Sequence, residues 1–240
     1  MIRKSMIAVS ALAASACQFG ARAESKDPGP ASQRSYNVAA FDKIEVAGPY
    51  EVTVRTGGKT GVSATGGQHL LDETEVVVDG STLRIQPRKR KGFRWSWGSN
   101  SKAKFTVTTA MLRGAAIAGS GGIAVDRIEG DFTGEVAGSG DLKLAAVKGG
   151  AVEFSIAGSG DVSAAGTAAS TRIEIAGSGD VDAAGLAAKT VSVSIAGSGN
   201  VRANASDTAE VEIVGSGDVE MLGGAKCTVS KVGSGNVRCS

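Results

Sequence analysis

The stretch SIAGSGDV at residues 155–162 recurs as EIAGSGDV at 174–181, and its centre, Gly-Ser-Gly, begins at Gly119, Gly138, Gly158, Gly177, Gly197, Gly215 and Gly233. Successive copies are 19, 20, 19, 20, 18 and 18 residues apart. A near-constant period of this size marks a solenoid, in which each repeat is one coil that cannot bury its apolar side alone and relies on its neighbours. Ahead of each Gly-Ser-Gly lies a segment of period two: Val152-Glu153-Phe154-Ser155-Ile156, Arg172-Ile173-Glu174-Ile175, Val191-Ser192-Val193-Ser194-Ile195 and Val211-Glu212-Ile213. A shorter alternation follows it, as in Leu142-Lys143-Leu144, Val162-Ser163-Ala164 and Val201-Arg202-Ala203. Alternation with branched aliphatics on one side reads as a half-buried strand. The expected fold is therefore all-β, a parallel β-helix or β-solenoid of ~19-residue coils with at least two strands each. Stacked about 4.8 Å apart, the seven coils make a rod of roughly 30–35 Å. Its core is expected to contain a ladder of Phe154, Ile173, Val193 and Ile213. An 18-residue period also suits three six-residue strands, but the 19 and 20 spacings favour a two-sheet or irregular coil.

Each coil must bend sharply between its strands. The bends fall at Gly138, Gly140 and Asp141, at Gly158, Gly160 and Asp161, at Gly177, Gly179 and Asp180, at Gly197, Gly199 and Asn200, and at Gly215, Gly217 and Asp218. Glycine reaches φ > 0 without a Cβ penalty, and Asp or Asn hydrogen-bonds its own local backbone, so the motif reads first as turn chemistry. Two ligand readings stand beside it. Carboxylates stacked at one place in successive coils invite calcium, and turn N–H groups can form an anion nest. Calcium-binding glycine-rich repeats have a unit of about nine residues. Here the period is about twice that, Asn replaces the acid at Asn200 and Asn236, and Gly122 holds the place in the first coil.

Residues 35–110 follow the same grammar less strictly. Phe41 to Val54 reads as two strands about Gly48-Pro49, residues 75–85 as a hairpin about Asp79-Gly80, and Phe105 to Thr108 as a further strand. This part is expected to cap the repeats of 111–240 against edge pairing. Residues 24–34, polar and containing Pro28 and Pro30, read as a flexible leader. Residues 1–23 read as a signal peptide: Arg3 and Lys4, a small apolar run from Met6 to Ala16, and an A-x-A site at Ala21-Arg22-Ala23. That run is about half of the ~20 residues that span a bilayer. Ala14-Ser15-Ala16-Cys17 also looks like a weak lipobox, which would make the protein a lipoprotein anchored at Cys17. Cys227 and Cys239 remain in the mature chain, either as a disulfide suited to an oxidising compartment or as two small buried residues. With 35 glycines and ten aromatic residues the chain suits a thin, repetitive core, and a net charge of +2 gives no global argument for nucleic acid.

Phe41 to Val54, the strand pair at 75–85 and the repeated Ala-Gly-Ser-Gly-Asp/Asn-Val units resemble the bacterial GIN domain family, a domain of unknown function described as an auto-transporter adhesin head. The resemblance spans roughly residues 38–221. It implies an exported protein with a parallel β-helix-like fold, and it brings no catalytic residues to carry over.

One segment stands apart chemically. Residues 87–104 read PRKRKGFRWSWGSNSKAK, in which Arg88, Lys89, Arg90, Lys91 and Arg94 interleave with Phe93, Trp95 and Trp97 and no acid intervenes. Basic groups attract anionic surfaces while aromatic rings partition to an interface, so these residues are candidates for docking on anionic lipid, lipopolysaccharide or acidic glycan. The plainer alternative is a solvated hairpin tip whose tryptophans cover the end of the rod. The single histidine, His69, has no nucleophile or metal-ligand pattern around it. Glu153 and Glu174 are the pair most able to face one another across coils, as an enzyme acting on polysaccharide would need. The favoured reading is an exported, non-enzymatic module in the periplasm, at the outer membrane or outside the cell. It needs no cofactor and does not bind nucleic acid; its partner is an envelope component or an extracellular glycan or protein. A polysaccharide-acting enzyme and a purely structural envelope protein are the rival readings, and the oligomeric state is left open.

Overall fold

The computed structural model describes residues 27–88 and 102–240. The signal peptide, Cys17, and the segment holding Lys89, Arg90, Lys91, Phe93, Arg94, Trp95 and Trp97 lie outside the described residues. The chain is nearly all β, a stack of about seven turns built on parallel strands.

The N-terminal part contains β1 (Ala31–Tyr36), β2 (Lys43–Ala47), β3 (Glu51–Thr56), β4 (Gly61–Gly67), the short helix α1 (Gln68–Asp72), β5 (Thr74–Asp79), β6 (Thr82–Pro87) and β7 (Lys104–Thr109). The repeats supply β8 (Gly114–Gly119), β9 (Gly122–Val125), β10 (Ile128–Glu129), β11 (Phe132–Gly138), β12 (Asp141–Lys148), β13 (Ala151–Gly158), β14 (Val162–Gly177), β15 (Val181–Gly197), β16 (Val201–Gly215), β17 (Val219–Leu222), β18 (Lys226–Gly233) and β19 (Val237–Cys239). In a first sheet, β8, β11, β13, the later halves of β14, β15 and β16, and β18 stack in parallel. In a second, β9, β12, the early halves of β14 to β16, β17 and β19 do the same. A short third face links them, where Ile128 pairs with Val147, Val147 with Gly166 and Gly166 with Leu186. The coil is therefore two sheets and a short irregular side.

Period two puts alternate side chains inside, and stacking aligns them into columns. One column is Phe132, Val152, Thr171, Val191, Ala209, Cys227; the next is Gly134, Phe154, Ile173, Val193, Val211, Val229; the third is Val136, Ile156, Ile175, Ile195, Ile213, Lys231. Ile213 thus belongs beside Ile195, and the ladder partner of Val193 is Val211. The expected column fails at this last member because the coil from Val201 is shortened at its third side, where the register shifts between Ala183 and Ala187. Gly134 makes room for aromatic neighbours: a Cβ there would lie 3.0 Å from the Phe154 ring and 2.6 Å from Leu142.

Facing outward on the first sheet, Glu135, Ser155, Glu174, Ser194, Glu212 and Ser230 form one row. Glu174 and Glu212 each have a serine above and below, and Glu135 lies between Ala116 and Ser155, so like charges sit about two strand spacings, roughly 10 Å, apart and are largely screened from one another. On the second sheet Asp182, Arg202, Glu220 and Arg238 alternate in sign. There Arg202 Nε donates to Glu220 at 2.9 Å.

The N-terminal part does not stack in chain order. β2 lies between β6 and β8, and β3 between β7 and β9, so the coil made by β6 and β7 is outermost. Antiparallel strands then cover that end: β5 on β6, β4 on β7 and β1 on β4. The helix α1 contributes the buried Leu70 and Leu71. Tyr50 packs edge-on against Phe105 with ring centroids 5.5 Å apart. Its hydroxyl donates to Thr74 Oγ1 at 3.1 Å, because the Thr74 proton is committed to Leu70 O at 2.8 Å.

Part of the expected leader is structured. Ala31 to Arg34 open β1, paired with β4 through Gly67 to Ala64. An edge strand needs only backbone partners, so its polar composition was no obstacle. Pro28 and Pro30 lend their carbonyls to the first free amides of α1, at His69 N (3.0 Å) and Gln68 N (2.8 Å).

Candidate functional site

The corners between the sheets are built by two glycines with different reasons for being glycine. Gly177 has φ +137°, and a Cβ on it would lie 2.2 Å from the carbonyl oxygen of Gly158 in the coil below. Gly179 has no such backbone requirement; it is glycine because a Cβ would meet Gly160 O at 2.3 Å and Ile156 Cγ2 at 2.8 Å. Between them, the amide of Ser178 donates to Gly158 O at 2.8 Å.

The Asp and Asn of the motif do not fold back on their own turn. Asp161 Oδ1 accepts from the amide of Asp180 at 3.1 Å, Asp180 Oδ1 from Asn200 at 2.8 Å, Asn200 Oδ1 from Asp218 at 3.1 Å, and Asp218 Oδ1 from Asn236 at 2.8 Å. Each side chain ties its corner to the next coil, and Asn200 Nδ2 adds a second donor to Asp180 at 3.0 Å. The local-turn expectation is corrected on this point: stacking puts the next coil's amide within reach of the side chain. Among the described residues no group of three or more His, Cys, Asp and Glu is placed to hold a metal ion.

The segment 87–104 links β6 to β7, whose counterparts β2 and β3 are joined by Gly48-Pro49 and β8 and β9 by Gly-Ser-Gly. Its two described ends are tied to the fold. Arg88 donates through its amide to Glu73 O (2.8 Å) and through Nε to Thr74 O (3.3 Å). Lys102 Nζ donates to Glu51 at 2.6 Å, which holds its ammonium above the usual lysine range. Nearby, Arg34 pairs with Asp72 and lowers the pKa of that carboxyl. Burial raises that of the Tyr36 phenol.

Glu153 and Glu174 are not opposed. Glu153 stands beside Arg172 in the next coil, and Glu174 beside Ser155. Arg172 reaches Glu174 at 3.6 Å, and the Glu174 side chain is half exposed. Both carboxylates are exposed, and neither faces the other across the coils. His69 sits on α1, exposed, with Nδ1 3.3 Å from Asp27 O.

One further feature went unread in the sequence. A furrow of about 820 Å³ runs along the first sheet between the row Ser170, Thr190, Thr208 and the row Glu153, Arg172, Ser192, Glu210. The equal repeat phase of Ser170, Thr190 and Thr208, one residue ahead of each inward column, was the signal that would have exposed it. Thr171 also lines it, buried, with no hydrogen-bond partner for Oγ1. At the C-terminal end, Cys227 and Cys239 form a disulfide with Cα atoms 6.6 Å apart, joining the last strands of the two sheets.

With fold and corners in place, comparison is informative. Residues 40–225 match the family described as "Putative auto-transporter adhesin, head GIN domain". The chain belongs to the GIN domain family. A crystal structure of a "putative adhesin" from Bacteroides fragilis is 24% identical, with a TM-score of 0.73, covering 88% of this chain and 97% of that one. One of a "putative lipid binding protein" from Parabacteroides distasonis is 25% identical, with a TM-score of 0.70 and the same coverage of each chain. A third, a "putative adhesin" from Parabacteroides merdae, shares the fold at 18% identity, with a TM-score of 0.65, covering 87% of this chain and 95% of that one. No curated protein matches the chain.

Proposed function

We propose that this GIN domain protein is an exported, non-enzymatic module that holds a basic, aromatic segment against an anionic envelope surface, with the rod behind it as a rigid stand. The observation that carries this reading is a placement. Where the next coils need only Gly48-Pro49 or Gly-Ser-Gly to pass from one sheet to the other, the link from β6 to β7 is residues 87–104, whose sequence gathers Lys89, Arg90, Lys91 and Arg94 with Phe93, Trp95 and Trp97. Arg88 and Lys102 serve at its base, holding the two ends to the fold. The relative named for lipid binding supports the same direction. Export rests on Ala21-Arg22-Ala23 and agrees with a disulfide, which persists in oxidising compartments.

The test is co-sedimentation of the mature chain with vesicles containing phosphatidylglycerol or lipopolysaccharide, against phosphatidylcholine alone. Each basic side chain near an anionic surface contributes about 1 kcal/mol, so replacing Lys89, Arg90, Lys91 and Arg94 by Ser should reduce binding by several hundredfold, roughly. Salt should weaken what remains. Equal binding to neutral vesicles, or no loss in the variant, overturns the reading. Intact mass of the exported protein checks the export: Glu24 at the N-terminus is expected, and a lipid-modified Cys17 replaces that site with the lipoprotein one.

A further inference from the structure

We infer that the furrow on the outer face of the first sheet is a second binding site, and that its ligand is an extended, uncharged glycan chain. Its lining runs from Asp131 to Thr228 and includes no residue of the basic segment, so it does not depend on it. The furrow follows the rod from the coil of Phe132 to that of Cys227, five strand spacings or roughly 24 Å. A short linear oligosaccharide fills such a length.

Its chemistry selects the ligand. The hydroxyls of Ser170, Thr190, Ser192 and Thr208 line it and are engaged by no hydrogen bond among the described residues. Among the described residues neither Glu153 nor Glu210 forms an ion pair, and outward hydroxyl and carboxylate groups repeat along the furrow at the coil spacing. Thr171 lies between these rows with its side chain turned into the core, so the outward hydroxyls carry the polar surface of the furrow. A ligand rich in hydroxyls can meet such a row at successive coils.

An extended peptide is the poorer fit. Peptides that add to sheets use free backbone edges, whereas the strands lining the furrow spend their amides and carbonyls on the coils above and below. Charge narrows the glycan further. Asp131, Glu153 and Glu210 outnumber Arg172 and Lys226 in the lining, which disfavours an acidic polymer. The site is open and Phe132, the one aromatic residue in its lining, is buried in the core, so many weak polar contacts along its length must supply the affinity.

The experiment is affinity electrophoresis of the mature chain in gels containing dextran, glucomannan or polygalacturonate, with calorimetry on neutral oligosaccharides of graded length. Retardation by a neutral polymer is expected, with affinity rising with length until the furrow is filled. Ser192→Ala and Thr190→Ala should each weaken binding about fivefold, one hydrogen bond's worth. Ser192→Trp, which blocks the furrow from an outward position, should abolish it while leaving the melting temperature and vesicle co-sedimentation unchanged. Absence of retardation by both neutral polymers overturns the inference. So does retention of binding in Ser192→Trp, or preferential binding of polygalacturonate or of a serine-rich peptide.

Discussion

The two ends of the rod solve one problem in opposite ways. At the N-terminal end the outermost coil is covered: β5, β4 and β1 run antiparallel over it, α1 lays down Leu70 and Leu71, and Tyr50 and Phe105 fill the space beneath. At the other end no described strand or helix lies over the last coil. Val229 is 45% exposed where Val211, one coil below, is 1% exposed, and Lys231 stands where the column below it has Ile213. That coil is locked instead, by the disulfide and by Lys231 Nζ donating to Gly235 O at 2.8 Å. Covering an end takes a long non-repetitive sequence and large side chains. Locking one takes two cysteines and an inward charge, which also discourages another sheet from pairing with the open edge.

The interior that both ends protect sets the largest effect. Gly177→Val combines an unfavourable φ with a collision against Gly158 O, and should cost roughly 4 kcal/mol or more. Soluble yield and urea unfolding should show a chain that does not fold, and a stable variant would mean that corners pack more loosely than the ends require. Next comes the cover. Phe105→Ala should cost about 3–5 kcal/mol, while Val229→Ala at the uncovered end stays within about 0.5 kcal/mol. Similar losses at both positions in urea would erase the distinction.

Opening the lock should matter less, and locally. Reduction of Cys227–Cys239 should remove about 3 kcal/mol in the loop-entropy view, with faster hydrogen exchange confined to residues 226–240. Exchange spreading to β13 and β14 would show that the lock holds the whole rod. The cover has its own weakness in alkali. Burial pushes the Tyr50 phenol up to about 12 from 10.0. The folded state therefore binds this proton more tightly than the unfolded chain, so stability is full below pH 10 and falls between pH 10 and about 12. The loss is on the order of 2 kcal/mol. Tyr50→Phe should flatten that decline, measured by urea midpoints across the range, at the expense of the bond to Thr74. The smallest effect is at the corner ladder: Asp180→Asn keeps an acceptor for Asn200 and should change the midpoint little, whereas Asp180→Ala should cost about 1 kcal/mol.

What was legible in the sequence follows the same division. In the repeats, glycine spacing and alternation defined coils, strands and corners, because each coil meets only its neighbours and the neighbours are adjacent in sequence. Ile213 was misplaced although the motif carries the shortening: Gly215 follows Gly197 by 18 residues, and counting four back from it, as Val193 lies four before Gly197, gives Val211. The Asp and Asn side chains were read as local because nothing in one coil's sequence shows where the next coil's amide will lie. At the covered end the strands of β2, β3 and the β5–β6 hairpin were readable. Their stacking order was not, since the insertion of β2 and β3 between β6–β7 and β8–β9 depends on contacts far apart in sequence. β1 escaped because its pairing to β4 is carried by backbone. The furrow was missed because attention to alternation sorts residues into inside and outside, and the site is made from two outside rows.

The alternation of Glu and Ser along the first sheet implies that the heritable unit of this rod is a pair of coils. Gly119 to Gly158, Gly138 to Gly177 and Gly158 to Gly197 are each 39 residues, and SIAGSG at 155–160 reappears unchanged at 194–199. A duplication or deletion of one such pair lengthens or shortens the molecule with its charge pattern in phase. A change by a single coil sets glutamate against glutamate at the seam, so lineages of this protein should differ in length by even numbers of coils.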